Sequence, residues 1–433
     1  MPTYPSQNSG LEPMHGKVII NQLGGTGTPP EFGVEHFTVG LSPYLRLLEE
    51  EYLESFIKMG GSAFKLVIGN YGGGKTHFLY CVRDIAWKMN YVVSYVPLSP
   101  TECPFNRLEL VYKSIMANLM YPRVSEELTK HYEKGIDPFI RSWYVTKMEE
   151  LKESKMIESY VRSISGIESS SFENAVRHAF LTLQEDNSSY NGIIQWLKGE
   201  EVDREIRNRF GITEKLDKTT AFRLIRSLAQ YIREIGYSGI ILLFDEAERG
   251  MSIATSREKR MALDNLRQLI DECGNVRLPG VMIFYAIPDE RQLLEERLEV
   301  YEALRQRLSG TISRVNPSGV RIQLEHLELS PPRFLTELGE RLGRIYEIAY
   351  SPFSFDRASL KKTISVFAEG SFEERYADVG YRRVFVKSVI QGFHMLKENP
   401  RSTVSKKDAQ RIIRDEIRDL ERDITAEAEE EEF

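Results

Sequence analysis

Eight consecutive residues, GNYGGGKT at positions 69–76, carry the clearest chemistry in this chain. They fit the pattern G-x-x-x-x-G-K-[ST] at every specified position. Glycines let backbone N–H groups close around phosphate oxygens, and the amino terminus of a following helix adds partial positive charge. We therefore predict a nucleotide-phosphate site formed by Gly69, Asn70, Tyr71, Gly72, Gly73, Gly74, Lys75, Thr76 and His77.

The segments on either side of this loop are those that a phosphate-binding loop requires. Residues 64–68 form a short apolar run that predicts a buried strand, and residues 77–83 have the composition of the first turns of a helix. This strand, loop and helix order separates a P-loop from a glycine-rich turn. We predict that Lys75 contacts the outer phosphates and that the Thr76 hydroxyl is a ligand of Mg²⁺.

A second stretch, IILLFDE at positions 240–246, ends in two carboxylates. Its five apolar residues predict a strand buried on both faces, as in a parallel sheet. Open α/β sheets bind their ligands at the carboxyl ends of such strands. We predict that Asp245 helps to hold Mg²⁺ and that Glu246 orients and polarises the attacking water. Glu248 is an alternative to Glu246.

Composition limits the classes of protein to which the chain can belong. Its 433 residues, 41% hydrophobic and 28% charged, are typical of a soluble protein with two or three domains. The sequence contains neither an apolar run long enough to span a membrane nor a secretory signal pattern. Three scattered cysteines fit a reducing compartment, so we expect a cytoplasmic location. The net charge of −7 argues against coating nucleic acid through overall charge.

The pattern of apolar runs and breaks predicts the domain organisation. Strands are expected at 64–68, 91–96, 240–246, 281–287 and 320–324, and helices at 43–59, 77–89, 105–120, 256–273 and 290–308. Ser42 is the expected N-cap of the helix at 43–59, residues 1–16 are expected to be disordered, and the Gly/Pro-rich segment 24–33 is expected to be a loop. The predicted units are an N-terminal segment (1–60), an ATPase core (61–123 and 236–328), a helical insertion (124–235), a C-terminal helical lid domain (329–426, with breaks at 351–352, 369–371 and 400–402) and a disordered acidic tail (427–433).

These elements together indicate a P-loop NTPase of the α/β class with a parallel sheet. The chain lacks the Asn/Thr-Lys-x-Asp sequence with which GTPases bind guanine, and it is longer than most small-molecule kinases. An Asp-Glu pair on a core strand followed by a C-terminal helical domain indicates the AAA+ class. The predicted ligands are ATP and Mg²⁺.

Three segments resemble the ATP-binding protein family of bacterial BREX phage-defence systems. They are Leu23 to Gly40, with its Gly/Pro-rich entry, the P-loop with His77-Phe78-Leu79 behind it, and Gly236 to Glu248. The resemblance covers about residues 17 to 400. It implies an ATPase that uses ATP to assemble or remodel a defence complex. The implied partners are other defence proteins, DNA and further subunits in a homo- or hetero-oligomer, but no membrane.

The resemblance also implies roles for residues outside the two motifs. In AAA+ ATPases a segment before the P-loop cradles adenine, and Phe32, Gly33 and Val34 stand at that place; a plain surface loop is the alternative. Arg305 and Arg307 stand where an arginine reaches the γ-phosphate of a neighbouring subunit. Ordinary surface arginines are the alternative there.

Two further positions follow from the same resemblance. The lid arginine would be Arg383, with the adjacent Arg382 as its rival. The strand at 281–287 should end in a polar residue that positions water, yet it ends in Tyr285, Ala and Ile. Slow hydrolysis is one consequence, unless Tyr285 or Asp289 takes that role.

Two other functions stay open at this point. The chain could be a nucleotide-gated switch or scaffold with little turnover, which the apolar end of the 281–287 strand favours. It could also be a DNA-binding regulatory protein, because basic pairs recur in the C-terminal helices at 361–362, 382–383 and 406–407. Solvated helix faces or a lid explain the same basic pairs.

Overall fold

A six-stranded sheet lies at the centre of the computed structural model. The structure describes residues 10–122, 132–183, 187–247, 255–289, 304, 306–325, 329–374 and 380–431. Its strands are β1 (Ser62–Ile68), β2 (Tyr91–Pro97), β3 (Leu119–Met120), β4 (Gly239–Asp245), β5 (Val281–Ile287) and β6 (Arg321–Gln323). The strand order is β3-β2-β4-β5-β1-β6, and every neighbouring pair is parallel except β2 and β3.

Helices cover both faces of this sheet. In the first half of the chain they are α1 (Pro13–Gly25), α2 (Ser42–Leu48), α3 (Lys75–Lys88), α4 (Leu108–Ala117), α5 (Ile136–Leu151), α6 (Ser154–Ser163), α7 (Ser170–Thr182), α8 (Asn187–Leu197) and α9 (Arg204–Arg209). In the second half they are α10 (Ala221–Glu234), α11 (Ser256–Gly274), α12 (Pro331–Ala349), α13 (Arg357–Glu373), α14 (Tyr381–Glu398) and α15 (Lys406–Glu431). A 3₁₀ turn forms at Val34–His36, and α2 continues as π-helical turns over Glu49–Phe56.

Alternation along the central strands divides the core into two layers. On β4, Ile240 and Leu242 pack in one buried cluster with α4 to α8, α10 and α11. The intervening Ile241 and Leu243 pack in the other cluster, with α1 to α3 and α12 to α15. A strand buried on both faces must be apolar at every position, which is why the run at 240–244 identified it.

The predicted core elements are confirmed, with shifts at their ends. All five predicted strands are present, and the helices after β1 and β4 begin within two residues of their expected positions. The helix expected at 105–120 is shorter, because its last residues form the edge strand β3. Ser42 is the first residue of α2 rather than its N-cap, which is Leu41. The helix expected at 290–308 lies mostly outside the described residues.

Four predictions of irregular structure are wrong over part or all of their range. Helix α1 includes residues 13–16, expected to be disordered, and Gly24 and Gly25 of the expected loop. The break expected at 369–371 lies inside α13. Residues 427–431 of the expected disordered tail extend α15. Close packing explains the glycines inside α1 and α13, since a Cβ on Gly24 would lie 2.9 Å from Ile390 and one on Gly370 would lie 2.7 Å from Ile413.

The first helix and the C-terminal helices share one core. Ile19, Ile20 and Leu23 of α1 belong to the same buried cluster as Leu335 of α12 and Ile390 of α14. That cluster also contains the sheet side of α3, so it extends from the P-loop helix to Leu420 of α15. The division of the chain into an N-terminal segment, core, insertion and lid stays a prediction. In the described part of the chain, no helix is both long and apolar enough to cross a membrane.

Candidate functional site

The glycine-rich loop lies at the carboxyl end of β1 and leads directly into α3. Gly72 and Gly74 have φ angles of 72° and 94°, a region that side chains with a Cβ rarely adopt. Gly73 N–H donates to the Asn70 carbonyl at 2.8 Å and closes the turn. A Cβ on Gly73 would lie 2.8 Å from that same carbonyl oxygen. The loop therefore has the compact backbone that can surround a phosphate group.

Lys75 is the first residue of α3 and is 8% exposed. Its Nζ donates to the Gly69 carbonyl at 3.0 Å and approaches the Asn70 carbonyl at 3.5 Å. The ammonium group thus lies inside the loop and is held by the backbone of that loop. These carbonyls are neutral acceptors, so a phosphate oxygen would be a stronger partner for the same cation.

Asp245 connects the loop to the end of β4. The carboxylate is 1% exposed, and its Oδ2 accepts hydrogen bonds from Thr76 Oγ1 at 2.6 Å and from the Tyr95 hydroxyl at 2.7 Å. Its Oδ1 accepts a hydrogen bond from the Glu246 N–H at 3.0 Å. A buried carboxylate needs such donors because burial removes its hydration. The structure therefore brings Thr76 and Asp245 together and adds Tyr95, which lies outside both sequence motifs.

Glu246 follows β4 in a left-handed backbone conformation, with φ at 53°. A residue other than glycine is uncommon there, and such strained positions occur often at functional sites. The conformation turns the chain at the strand end, directly after the carboxylate that accepts a hydrogen bond from Thr76. Glu248, the alternative, lies outside the described residues.

The side chains at this edge fit a magnesium ion held jointly by protein and phosphates. Mg²⁺ usually takes one or two protein oxygens and completes its shell with phosphate and water. Thr76 and Asp245 supply a hydroxyl and a carboxylate that already touch each other. Over the described ranges no group of three or more His, Cys, Asp or Glu could hold a metal by itself. The donor set therefore suits a metal that arrives with a nucleotide.

A cleft opens beside the loop. Its walls are mostly apolar and come from α1, the segment before α2, Leu324 after β6 and the C-terminal helices. The lining residues are Leu23, Gly27, Pro29, Phe37, Val39, Leu41, Gly72, Gly73, Gly74, His77, Leu324, Phe334, Leu338, Arg382, Arg383 and Val386. Because this apolar cleft continues from the glycine-rich loop, it is the candidate site for the base of a nucleotide.

His77 lines this cleft next to Thr76. Its Nε2 lies 2.9 Å from Thr38 Oγ1, and its ring contacts Phe37 at 5.0 Å between centroids. Burial and the nearby charge of Arg382 lower the pKa of His77 to about 4. The imidazole is therefore neutral at pH 7 and adds a polar but uncharged group to the cleft.

The three residues expected around adenine do not line the cleft. Phe32 stacks on Trp87 with centroids 6.2 Å apart, and the Arg83 guanidinium lies 4.7 Å from the Phe32 ring. Val34 is fully buried, and Gly33 has a φ of 84° before the 3₁₀ turn. The cleft wall is formed instead by every second residue of the segment that follows the 3₁₀ turn, namely Phe37, Val39 and Leu41. The apolar residues at every second position of 37–41 are the feature of the sequence that could have indicated this wall.

Two adjacent arginines at the start of α14 reach the P-loop from the C-terminal helices. Arg382 donates from Nη1 to the Gly73 carbonyl at 2.6 Å and from Nη2 to the Leu324 carbonyl at 2.7 Å. Arg383 donates from Nη1 to the Tyr71 hydroxyl at 2.9 Å and from Nε to the Thr26 carbonyl at 2.9 Å. Arg382 is buried and Arg383 is half-buried. Both line the cleft, so the structure places both candidates at the site.

Arg307, one of the two predicted finger residues, lies away from this chain's own P-loop. Arg307 forms an ion pair with Asp271 in the last turns of α11, with 3.2 Å between Nη2 and Oδ2. Two residues further on, the Cys273 carbonyl accepts a hydrogen bond from Ser62 at the amino end of β1. Arg307 therefore lies toward the amino ends of the strands, whereas the P-loop lies at their carboxyl ends. Arg305 is outside the described residues.

Tyr285, one stand-in for the missing polar residue on β5, points into the core. Its ring packs against Phe64, Phe105 and Phe244, with centroids 5.3 to 6.2 Å away. These residues belong to the cluster on the sheet face opposite α3.

Among the basic pairs, the lysines at 361–362 and 406–407 are exposed, whereas Arg382 and Arg383 contact the P-loop.

Comparison with known proteins places this site in a family. No curated protein matches the chain. The family model described as BREX system ATP-binding protein BrxC/D matches residues 12–411, which include the P-loop, Asp245, Glu246 and both arginines at the start of α14. Because the match covers nearly the whole sequence, the chain belongs to the family of BREX system ATP-binding proteins BrxC/D.

Proposed function

We propose that the chain is a Mg²⁺-dependent ATPase of the AAA+ type that acts in phage defence. The observation that carries the proposal is the 2.6 Å hydrogen bond between Thr76 and Asp245. It joins the P-loop to the carboxylate at the end of β4, the two sites that a nucleotide triphosphate and its metal must contact together. The phage-defence setting rests on the family match.

Each residue of the site has a role in this proposal. Backbone N–H groups of residues 72–76 surround the phosphates, and the Lys75 ammonium exchanges its loop carbonyls for phosphate oxygens. Glu246 accepts the proton of the attacking water and orients it toward the γ-phosphate. Thr76 and Asp245 would hold Mg²⁺, which would supply positive charge beside the phosphates. The base enters the apolar cleft, where Phe37, Val39 and Leu41 replace the segment expected from the sequence.

The AAA+ assignment rests on topology and on the C-terminal helices. Without the short antiparallel β3, the strand order β2-β4-β5-β1-β6 places the P-loop strand and the acidic strand on either side of β5. Helix α14 brings Arg382 and Arg383 to the loop in the manner of a lid. A lid that contacts the P-loop can move when nucleotide enters, and such movement is how ATP would drive assembly or remodelling of a defence complex.

A partner subunit or a second copy completes the site in this proposal. Arg307 lies toward the amino ends of the strands, away from its own P-loop, so it could contact phosphate only in a neighbouring subunit. The ion pair with Asp271 keeps Arg307 in place until then. DNA is the proposed surface on which the complex works, and the exposed lysines at 361–362 and 406–407 would contact its backbone.

The experiment is ATP turnover by the wild type, Glu246→Gln and Glu248→Gln, each with and without double-stranded DNA. We expect turnover in the wild type, loss of turnover with retained ATP binding in Glu246→Gln, and near wild-type turnover in Glu248→Gln. Stimulation by DNA that weakens as salt rises would support DNA as the working surface. Equal loss in both variants, or none in Glu246→Gln, would overturn the role of Glu246.

A second candidate function is a nucleotide-gated switch with little turnover of its own. The observation that favours it is the burial of the Tyr285 ring among Phe64, Phe105 and Phe244, on the sheet face away from Asp245. That packing leaves Tyr285 without a route to the attacking water. If the wild type and Glu246→Gln both bind ATP and neither hydrolyses it, the switch is the better description.

A further inference from the structure

Three hydrogen-bond donors converge on the Asp245 carboxylate, and one of them comes from a residue outside both sequence motifs. Thr76 Oγ1 and the Tyr95 hydroxyl both donate to Oδ2, at 2.6 and 2.7 Å, while the Glu246 N–H donates to Oδ1 at 3.0 Å. Two donors on one oxygen and a third on the other fix the rotation of the carboxylate about its χ2 angle.

Tyr95 reaches this carboxylate from the neighbouring strand β2. In the parallel register Tyr95 pairs with Leu243 and Pro97 pairs with Asp245, so the tyrosine lies one alternate position before the acid on the same face of the sheet. The ring can therefore extend along the strands until its hydroxyl meets Oδ2. A shorter polar side chain at position 95 could not span this step.

Helix α3 fixes the tyrosine ring from the other side. Tyr80 lies four residues after Thr76 and hence on the same face of the helix. Its ring contacts the Tyr95 ring at 5.2 Å between centroids, and the Arg83 guanidinium lies 5.0 Å from the Tyr80 ring. Tyr95 is thus held between α3 and Asp245, and its hydroxyl has a defined direction.

We propose that Tyr95 is a positioning residue for the magnesium ion, a role that rests on the proposed function. The Thr76 hydroxyl can keep donating to Asp245 while its lone pairs face a metal, because its donor and acceptor sites are separate. Tyr95 supplies the second donor to Oδ2 and so strengthens the orientation that the Thr76 hydroxyl and the Glu246 N–H also favour. Outer-shell hydrogen bonds of this kind orient metal ligands, and their removal typically costs 10–100-fold in metal affinity.

The test measures metal affinity separately from nucleotide affinity. A fluorescent, non-hydrolysable ATP analogue is bound to the full chain in EDTA and then across a Mg²⁺ series, for the wild type, Tyr95→Phe and Tyr91→Phe. Tyr91 is the matched control: it lies on the same strand, is fully buried, and donates its hydroxyl to the Leu53 carbonyl at 2.6 Å. Hence Tyr91→Phe also removes one buried hydroxyl, but away from Asp245.

We expect the Mg²⁺ concentration for half-maximal binding to rise about 10-fold in Tyr95→Phe. Analogue binding in EDTA should match the wild type, and Tyr91→Phe should leave both values unchanged. Wild-type Mg²⁺ dependence in Tyr95→Phe would overturn the proposal, and so would an equal fall of binding with and without Mg²⁺. If Tyr95→Phe does not fold, Tyr95→Met fills the site without a hydroxyl and carries the same expectation. Absence of analogue binding by the wild type would instead refute the proposed function.

Discussion

Replacement of Arg382 by methionine should loosen the P-loop and destabilise the fold, far more than the same change at Arg383. The Arg382 guanidinium donates to the carbonyls of Gly73 and Leu324 at 2.6 and 2.7 Å, and Arg382 is 9% exposed. Methionine keeps the length of the side chain but leaves two buried carbonyls without these donors. A hydrogen bond from a charged donor contributes about 1.5 kcal/mol or more, so the two together contribute about 3 kcal/mol.

Arg383→Met is the matched control for this prediction. Arg383 donates to the exposed Thr26 carbonyl and to the Tyr71 hydroxyl, and water can partly take the place of the guanidinium at both acceptors. Loss of the guanidinium should therefore lower the free energy of unfolding by about 1 kcal/mol. Urea denaturation followed by circular dichroism measures stability, and titration with a fluorescent ATP analogue measures the effect on the loop. Weaker analogue binding and a lower urea midpoint are expected in Arg382→Met. A larger effect in Arg383→Met would refute the reasoning.

Three further changes test separate parts of the structure. Lys75→Ala should abolish measurable ATP binding, because it removes the cation inside the loop; unchanged binding would refute the site. Gly380→Ala should impair ATP binding, since its Cβ would lie 2.2 Å from the Tyr71 carbonyl, whereas Gly274→Ala meets no atom within 4 Å and should be neutral. Burial lowers the pKa of Lys65 to about 7, whereas the unfolded lysine keeps its proton to about pH 10. The free energy of unfolding of the wild type, measured by urea denaturation relative to Lys65→Met, should therefore rise by about 2 kcal/mol between pH 7 and pH 9. If the difference in unfolding free energy between the two proteins is the same at both pH values, the lowered pKa of Lys65 is contradicted.

The P-loop and the strand that ends at Asp245 could be predicted because the residues that define each of them are adjacent in the sequence. The P-loop sequence requires its glycines at fixed spacing, and the apolar run before Asp245 requires burial on both faces. Helix α1 was not predictable in the same way. Gly16 and Gly24 weaken a helix, yet they let it approach Ala349 and Ile390 closely, so distant packing outweighs local propensity.

The choice between Arg382 and Arg383 shows a second limit of the sequence. Adjacent residues on a helix point about 100° apart, so only the rotation of α14 about its axis decides which arginine reaches the Gly73 carbonyl and which reaches the Tyr71 side chain. That rotation is set by the packing of α14 against α1, α12 and α13. The role of Tyr95 could not be predicted for a related reason, because its contact with Asp245 depends on the register between two strands separated by more than a hundred residues.

The shared core of the first and last helices has a consequence for synthesis on the ribosome. Ile19, Ile20 and Leu23 leave the exit tunnel more than three hundred residues before Ile390 of α14, against which their helix is buried. At a synthesis rate of 5–20 residues per second, roughly 20 to 70 seconds pass between the emergence of the apolar face of α1 and that of Ile390. During that interval α1 is a natural substrate for chaperones, and a nascent chain stalled before α12 would expose it permanently.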